Sequence, residues 1–165
     1  MPRRYILAVD PAKRSGWSLW TVDGACLCSG VADMSKAKTL YRADDVLYAT
    51  WREMATAANV DVMDPETPLT LVLEEPWGRF FRSLRKQAEY LALWESMYGH
   101  GDVIRVNPAT WQSAVLCLSN KTKRAARKAS AQKIAAKIAE RDVGEDEADA
   151  ICIGLWAVGK LARKQ

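Results

Sequence analysis

Carboxylates at three places in this sequence carry the chemistry it is best equipped to do. Asp10 follows the apolar run Tyr5 to Val9 and is followed at once by Pro11. Proline cannot continue a ladder of hydrogen bonds, so Asp10 is expected at the tip of a strand. Glu74 and Glu75 end a second apolar run, LTLVLEE, which Pro76 stops. Asp146 and Asp149 lie in GEDEADAICIGLW, three apart and so on one helical face, one turn from each other. Glu145 and Asp149 are four apart and share a face equally well, so spacing does not choose the pair. Each acid also has an ordinary explanation. Strand ends are solvated, and acids in a first turn complement the helix dipole. That account serves Glu145, Asp146 and Glu147. It serves Asp149 less well, because an apolar stretch follows it directly, where a carboxylate is costly unless paired or bound to a cation.

If the two strands are parallel neighbours, their tips meet at one sheet edge. A helix crossing that edge then adds its own pair of acids. Such a cluster is rich in oxygen and poor in histidine, since the chain has one histidine, His100. It suits Mg²⁺ or Mn²⁺ rather than Zn²⁺. Two such ions about 3.5–4 Å apart make a site for in-line phosphodiester hydrolysis. The cysteines Cys26, Cys28, Cys117 and Cys152 form no CxxC pair, and buried reduced thiols are expected. Cys26 and Cys28 are expected on one face of a strand.

The elements that must position these acids read as a mixed α/β order. Lys13 to Gly16 reads as a turn, Gly16 to Val22 as a return strand, and Asp23-Gly24 as a hairpin turn into Ala25 to Val31. Ser35 to Asn59 reads as a helix capped by Ser35. Leu69 to Glu75 has the continuous apolar character of an interior strand. Arg79 to Tyr98 reads as a long helix, with Leu84, Ala88, Leu91 and Tyr98 in one stripe and Leu93, Trp94 and Met97 widening it. So wide an apolar surface is expected to be shared with a partner. Asp102 to Val106 is a short strand, and Asn107-Pro108 starts a helix with Asn as cap and Pro in the first turn. A helix with apolar Ala131, Ile134, Ala135 and Ile138 on one face, broken by Gly144, and a last one over Glu145 to Leu161 follow. The 165 residues, 49% hydrophobic and 27% charged, are expected to form one domain around a sizeable core. No apolar run approaches a membrane span. The run near the N-terminus is too short for a signal peptide, and a cytoplasmic protein is expected.

Net charge is +4, which permits nucleic-acid binding without demanding it. Its distribution says more. Arg79, Arg82, Arg85 and Lys86 crowd the start of the long helix, where they oppose its dipole. Ser119 to Lys128, SNKTKRAARK, is the most basic segment, with Lys121, Lys123, Arg124, Arg127 and Lys128. These two groups are expected to line one DNA-facing surface. The alternative is an ordinary solvated face.

Together, AVDPAKRSGWSLW, LVLEEPW and DEADAICIGLW, in this order and spacing, resemble the RuvC family of Holliday-junction resolvases. That family belongs to the RNase H-like superfamily. The resemblance runs from about Arg4 to Leu161. It implies an RNase H-like (RuvC-type) fold, with a mixed central sheet of about five strands flanked by helices. It implies a structure-selective endonuclease that cuts four-way DNA junctions with Mg²⁺ or Mn²⁺, two ions per site. Carried over by position, the family's acids fall on Asp10, Glu74, Asp146 and Asp149. Its essential lysine falls on Lys128, with Lys121, Lys123 and Arg127 as alternatives. Gln112 stands where a second family lysine is expected. The aromatic that stacks on bases at the crossover falls on Trp77, whose ordinary reading is a loop aromatic packed on the core. RSLRKQAEYLALWESM is similar to the family's dimer helix, which implies a homodimer. Small size and the extra basic stretch point to a phage or prophage member. A branch-migration ATPase is a possible partner that no residue indicates. Three other readings compete. One is an RNase H-like nuclease acting on flaps or RNA–DNA hybrids. Another is a non-catalytic DNA-binding scaffold. The third is a sugar-kinase or actin-type nucleotide-binding protein, against which stand the chain's length and its lack of glycine-rich phosphate loops.

Overall fold

The computed structural model describes residues 3–37, 39–78, 80–118 and 121–163. Tyr5–Asp10 forms strand β1. Arg14–Thr21, β2, runs antiparallel to it with Asp10 opposite Gly16. The reversal is tighter than the sequence implies, because Arg14 to Gly16 already lie in β2. Ser15 closes the turn from within the strand: its hydroxyl accepts from the Ala12 N–H at 3.0 Å and donates to the Ala12 carbonyl at 2.7 Å. Gly24, at φ 101°, supplies the left-handed residue that lets β2 turn into Cys26–Asp33, β3.

Helix α1, Leu40–Ala58, starts later than expected. Thr39 caps it through the Arg42 N–H at 3.4 Å. Ser35 is drawn off into a turn, its N–H held by the Asp33 carboxylate at 2.9 Å. Then come β4 (Leu69–Glu74), α2 (Phe81–Tyr98), β5 (Asp102–Val106), α3 (Pro108–Leu116), α4 (Arg124–Ala139) and α5 (Glu145–Ala162). Asn107 caps α3 as expected, its side chain accepting from the Ala109 N–H at 2.9 Å.

The sheet order is β3-β2-β1-β4-β5, with β4 parallel to both β1 and β5. An interior strand buries both faces, which is why LTLVL is apolar throughout. Leu69, Leu71 and Leu73 enter one core, with Leu7, Trp17, Leu47, Met54 and Trp94 beneath α1 and α2. Val72 enters the other, with Ile6, Trp20, Trp111 and Ile151 beneath α3, α4 and α5. Small residues let α4 sit close on α5: Ala131 and Ala135 are buried there, and the Cys152 thiol donates to the Ala131 carbonyl at 3.7 Å. Burial pushes that thiol up to about 12, so it stays protonated.

Two expectations fail here. Cys26 and Cys28 do not share a face. The β2–β3 register shifts between Leu19 and Trp20, leaving Leu27 as an extra residue in β3. The bulge sends Leu27 and Cys28 into the core under α1 and Cys26 into the core under α5. The apolar stripe of α2 also splits. Leu91, Trp94 and Tyr98 are buried in the chain's own core, where the Tyr98 hydroxyl donates to the Leu47 carbonyl at 2.8 Å. Ala88 faces solvent.

Candidate active site

Because β1 and β4 are parallel neighbours, Asp10 and Glu74 leave the sheet at the same edge. Helix α5 begins at that edge. Its Asp146 carbonyl lies so close to Gly16, the register partner of Asp10, that a Cβ there would overlap it. Asp10, Glu74, Asp146 and Asp149 therefore line one cavity of about 750 Å³. Trp77, Trp111, Gln112, Arg124, Arg127 and Lys128 line it too. Glu145 is exposed and is not part of the lining, while Glu75 is an exposed residue at the rim.

Charge in the cavity is poorly balanced. Burial, then the charges of Asp149 and Asp146, push Asp10 up to about 7 against the pull of Lys128. Burial and the charge of Asp10 push Glu74 up to about 8, against a hydrogen bond from Trp111. Burial also raises Asp149, opposed by Lys128. Burial alone would lower Lys128, but its hydrogen bond to Asp149 and the nearby acids outweigh that and raise it.

Three of the four acids already have a donor. The Trp111 indole donates to Glu74 Oε2. Lys128 Nζ lies 2.7 Å from Asp149 Oδ2 and 3.7 Å from Glu145 Oε2. Arg14 bridges Asp146, at 3.2 Å, and Asp33, at 2.9 Å. Among the described residues, no three His, Cys, Asp or Glu side chains are gathered as the ligands of one ion. The donor set still fits a hard divalent cation. It is all oxygen and shares one cavity, and the burial and neighbouring negative charge that raise Asp10 and Glu74 are both offset by such an ion.

Of the basic residues singled out by sequence, Arg124, Arg127 and Lys128 line the cavity. Trp77 does as well and is 69% exposed, so it is not packed on the core. Arg82, Arg85, Lys86, Lys121 and Lys123 are exposed and lie outside it. Arg85 pairs with Glu89 at 3.3 Å, and Lys86 lines an adjoining groove with Lys13. Arg79 lies outside the described residues. Sequence reasoning missed Arg14 and Trp111, whose partners are distant in the chain. It also missed the role of Glu147, read as a dipole acid. Glu147 is buried, accepts from Ser29 Oγ at 2.7 Å, and pairs with Arg141.

No family model matches the chain, and no curated protein matches it in sequence. Solved structures do. The fold is an RNase H-like mixed α/β sheet. Within that class, the chain is similar to Thermus thermophilus RuvC in complex with a Holliday junction substrate. The TM-score is 0.67 at 14% identity, covering 96% of this chain and 97% of that one. It is likewise similar to a second Thermus thermophilus RuvC structure, with TM-score 0.60, 12% identity and coverage of 97% and 95%. The RuvC-like fold expected from the three acid-bearing motifs is the fold of this chain.

Proposed function

We propose that residues 1–165 form a single nuclease domain, a metal-dependent endonuclease that resolves four-way DNA junctions by paired, symmetric phosphodiester hydrolysis as a homodimer. The observation that carries this reading is one cavity lined by four carboxylates from β1, β4 and α5, with Lys128 among them. The RuvC-like fold, and a solved relative described with a Holliday junction substrate, support the choice of DNA.

Asp10, Glu74, Asp146 and Asp149 would hold Mg²⁺ or Mn²⁺, two ions per site. The ions, when bound, supply an activated water and offset charge on the leaving oxygen. The chain's own residues do the rest. Lys128 neutralises and orients Asp149. Trp111 fixes the direction of Glu74. Trp77, exposed at the cavity mouth, offers a face on which a base can stack, a contact worth ~1–3 kcal/mol. The basic residues of α4 and of the α2 start hold backbone phosphates. No described helix is long and apolar enough to cross a membrane, and the cytoplasm, where DNA is met, is the proposed place of action.

The test is incubation with a labelled four-way junction, a matched linear duplex and an RNA–DNA hybrid, each with Mg²⁺ and with EDTA. Two symmetric cuts in the junction alone, abolished by EDTA, are expected. Cutting of the hybrid in preference to the junction replaces this reading with a ribonuclease one. Binding without any cutting leaves a scaffold.

A further inference from the structure

We infer that Arg127, anchored by Gln112, is the cavity's grip on the phosphate that is cut. The inference rests on the nuclease reading above and adds to it the group that touches the reacting phosphate.

A phosphodiester entering an acid-lined cavity needs positive charge that is not already spent. Lys128 is spent on Asp149 and Glu145. Arg124 lines the cavity but is exposed, its charge shared with water. Arg127 differs from both. It is half-buried, and Nη1 donates to Gln112 Oε1 at 3.0 Å, which ties α4 to α3. Its Nε is buried and has no acceptor among the described residues. A buried donor without an acceptor is rare in a folded protein and points to a missing partner. Arg127 lines the cavity, so the acceptor assigned to it is one that enters there. The Nε edge of a guanidinium presents two parallel N–H groups, a fork that matches two oxygens of a phosphate. Because Gln112 holds the opposite side, the fork is already oriented before the phosphate arrives. Gln112 is thus a positioning residue, neutral and able to accept without competing for the anion.

The test is a cycle of protein and substrate changes. The bond cut by the wild-type protein is mapped. Junctions are then made with either the normal phosphate or a neutral methylphosphonate at that bond. Affinities are measured with Ca²⁺ replacing Mg²⁺ to suppress cutting. Neutralising the phosphate is expected to weaken wild-type binding roughly 10-fold, the worth of a charge-assisted hydrogen bond. It is expected to weaken Arg127→Gln several-fold less than wild type, because the arginine's share of the loss is already gone and only the share of the ions remains. Arg127→Lys, which keeps charge but not the fork, should fall between. Equal losses in wild type and Arg127→Gln overturn the assignment of Arg127 and leave the nuclease reading intact. A wild-type protein that binds no junction overturns both. Arg127→Lys and Gln112→Ala carry the same cycle if Arg127→Gln does not fold.

Discussion

Asp10 is pushed up first by burial at its strand tip and then by the charges of Asp149 and Asp146, and this gives the metal-free protein a pH dependence of definite sign. The Asp10 pKa is raised from 3.8 to about 7 in the folded chain. Between those values the folded form holds a proton that the unfolded form has released, so stability falls as pH rises through this window. Below it both forms are protonated, and above it the full cost is present. Asp10→Asn removes the cost. In EDTA at pH 8 the variant should therefore be more stable than wild type by about 1–3 kcal/mol, and the difference should vanish near pH 4. Urea titration at both pH values measures it. A variant less stable than wild type at pH 8 contradicts the cost assigned to burying a charged Asp10 beside Asp149. The same variant should lose cutting and keep junction binding, since binding rests on phosphate contacts and cutting on the ions. Asp10 and Glu74 were legible because proline follows each apolar run and marks the strand end. Arg14 and Trp111 were not. Each acquires its role from a partner placed by the sheet order, and no local spacing encodes that.

Helix α5 is the element on which the site depends, since it brings two of the four acids. Three contacts fix its position and rotation. Gly16 lets β2 run against its first turn, and Ser18 Oγ donates to the Ala150 carbonyl at 2.8 Å. On its third residue, Glu147 is clasped by Ser29 and Arg141. The clasp holds the buried acid of the first turn to β3, while Asp146 and Asp149 line the cavity. Removing Arg141 leaves a buried carboxylate without its cation. Arg141→Ala should therefore cost about 1–3 kcal/mol, reduced from the cost of a fully buried pair because Arg141 is half-exposed. Glu147→Gln should cost less, because the amide still accepts from Ser29. Urea midpoints for the two variants give the order, and a larger loss for Glu147→Gln would contradict it. The start of α3 and the interior character of β4 were readable from cap residues and unbroken hydrophobicity. The start of α1 was not, because two hydroxyl residues, Ser35 and Thr39, compete as caps and the Asp33 carboxylate decides between them. The split faces of Cys26 and Cys28 follow from a bulge set by pairing with β2, which an isolated strand does not announce.

At the scale of the whole molecule, a four-way junction has approximate two-fold symmetry, and two matched cuts call for two matched sites. A C₂ dimer supplies them. Helix α2 is the proposed seam, but not through the residues its apolar stripe first indicates. Leu91, Trp94 and Tyr98 are committed to the core of their own chain, so a charge at Leu91 or Trp94 would unfold the monomer rather than part a dimer. The outward face is Phe81, Arg85, Ala88, Ala92 and Ser96, which recur at helical spacing and are all exposed. Phe81 is 81% exposed, and Phe80 beside it 78%. An exposed aromatic end followed by alanines lets a second copy of α2 approach closely along its length. Light scattering on a sizing column should give a dimer mass at micromolar concentration. Ala88→Glu and Ala92→Glu should lower the dimer fraction while leaving the fold intact by circular dichroism, since neither side chain is buried in the monomer. With the dimer lost, junction cutting should pass from paired incisions to single nicks. A wild-type protein that is strictly monomeric yet makes paired cuts rules out the dimer. A dimer untouched by both substitutions places the seam on another face.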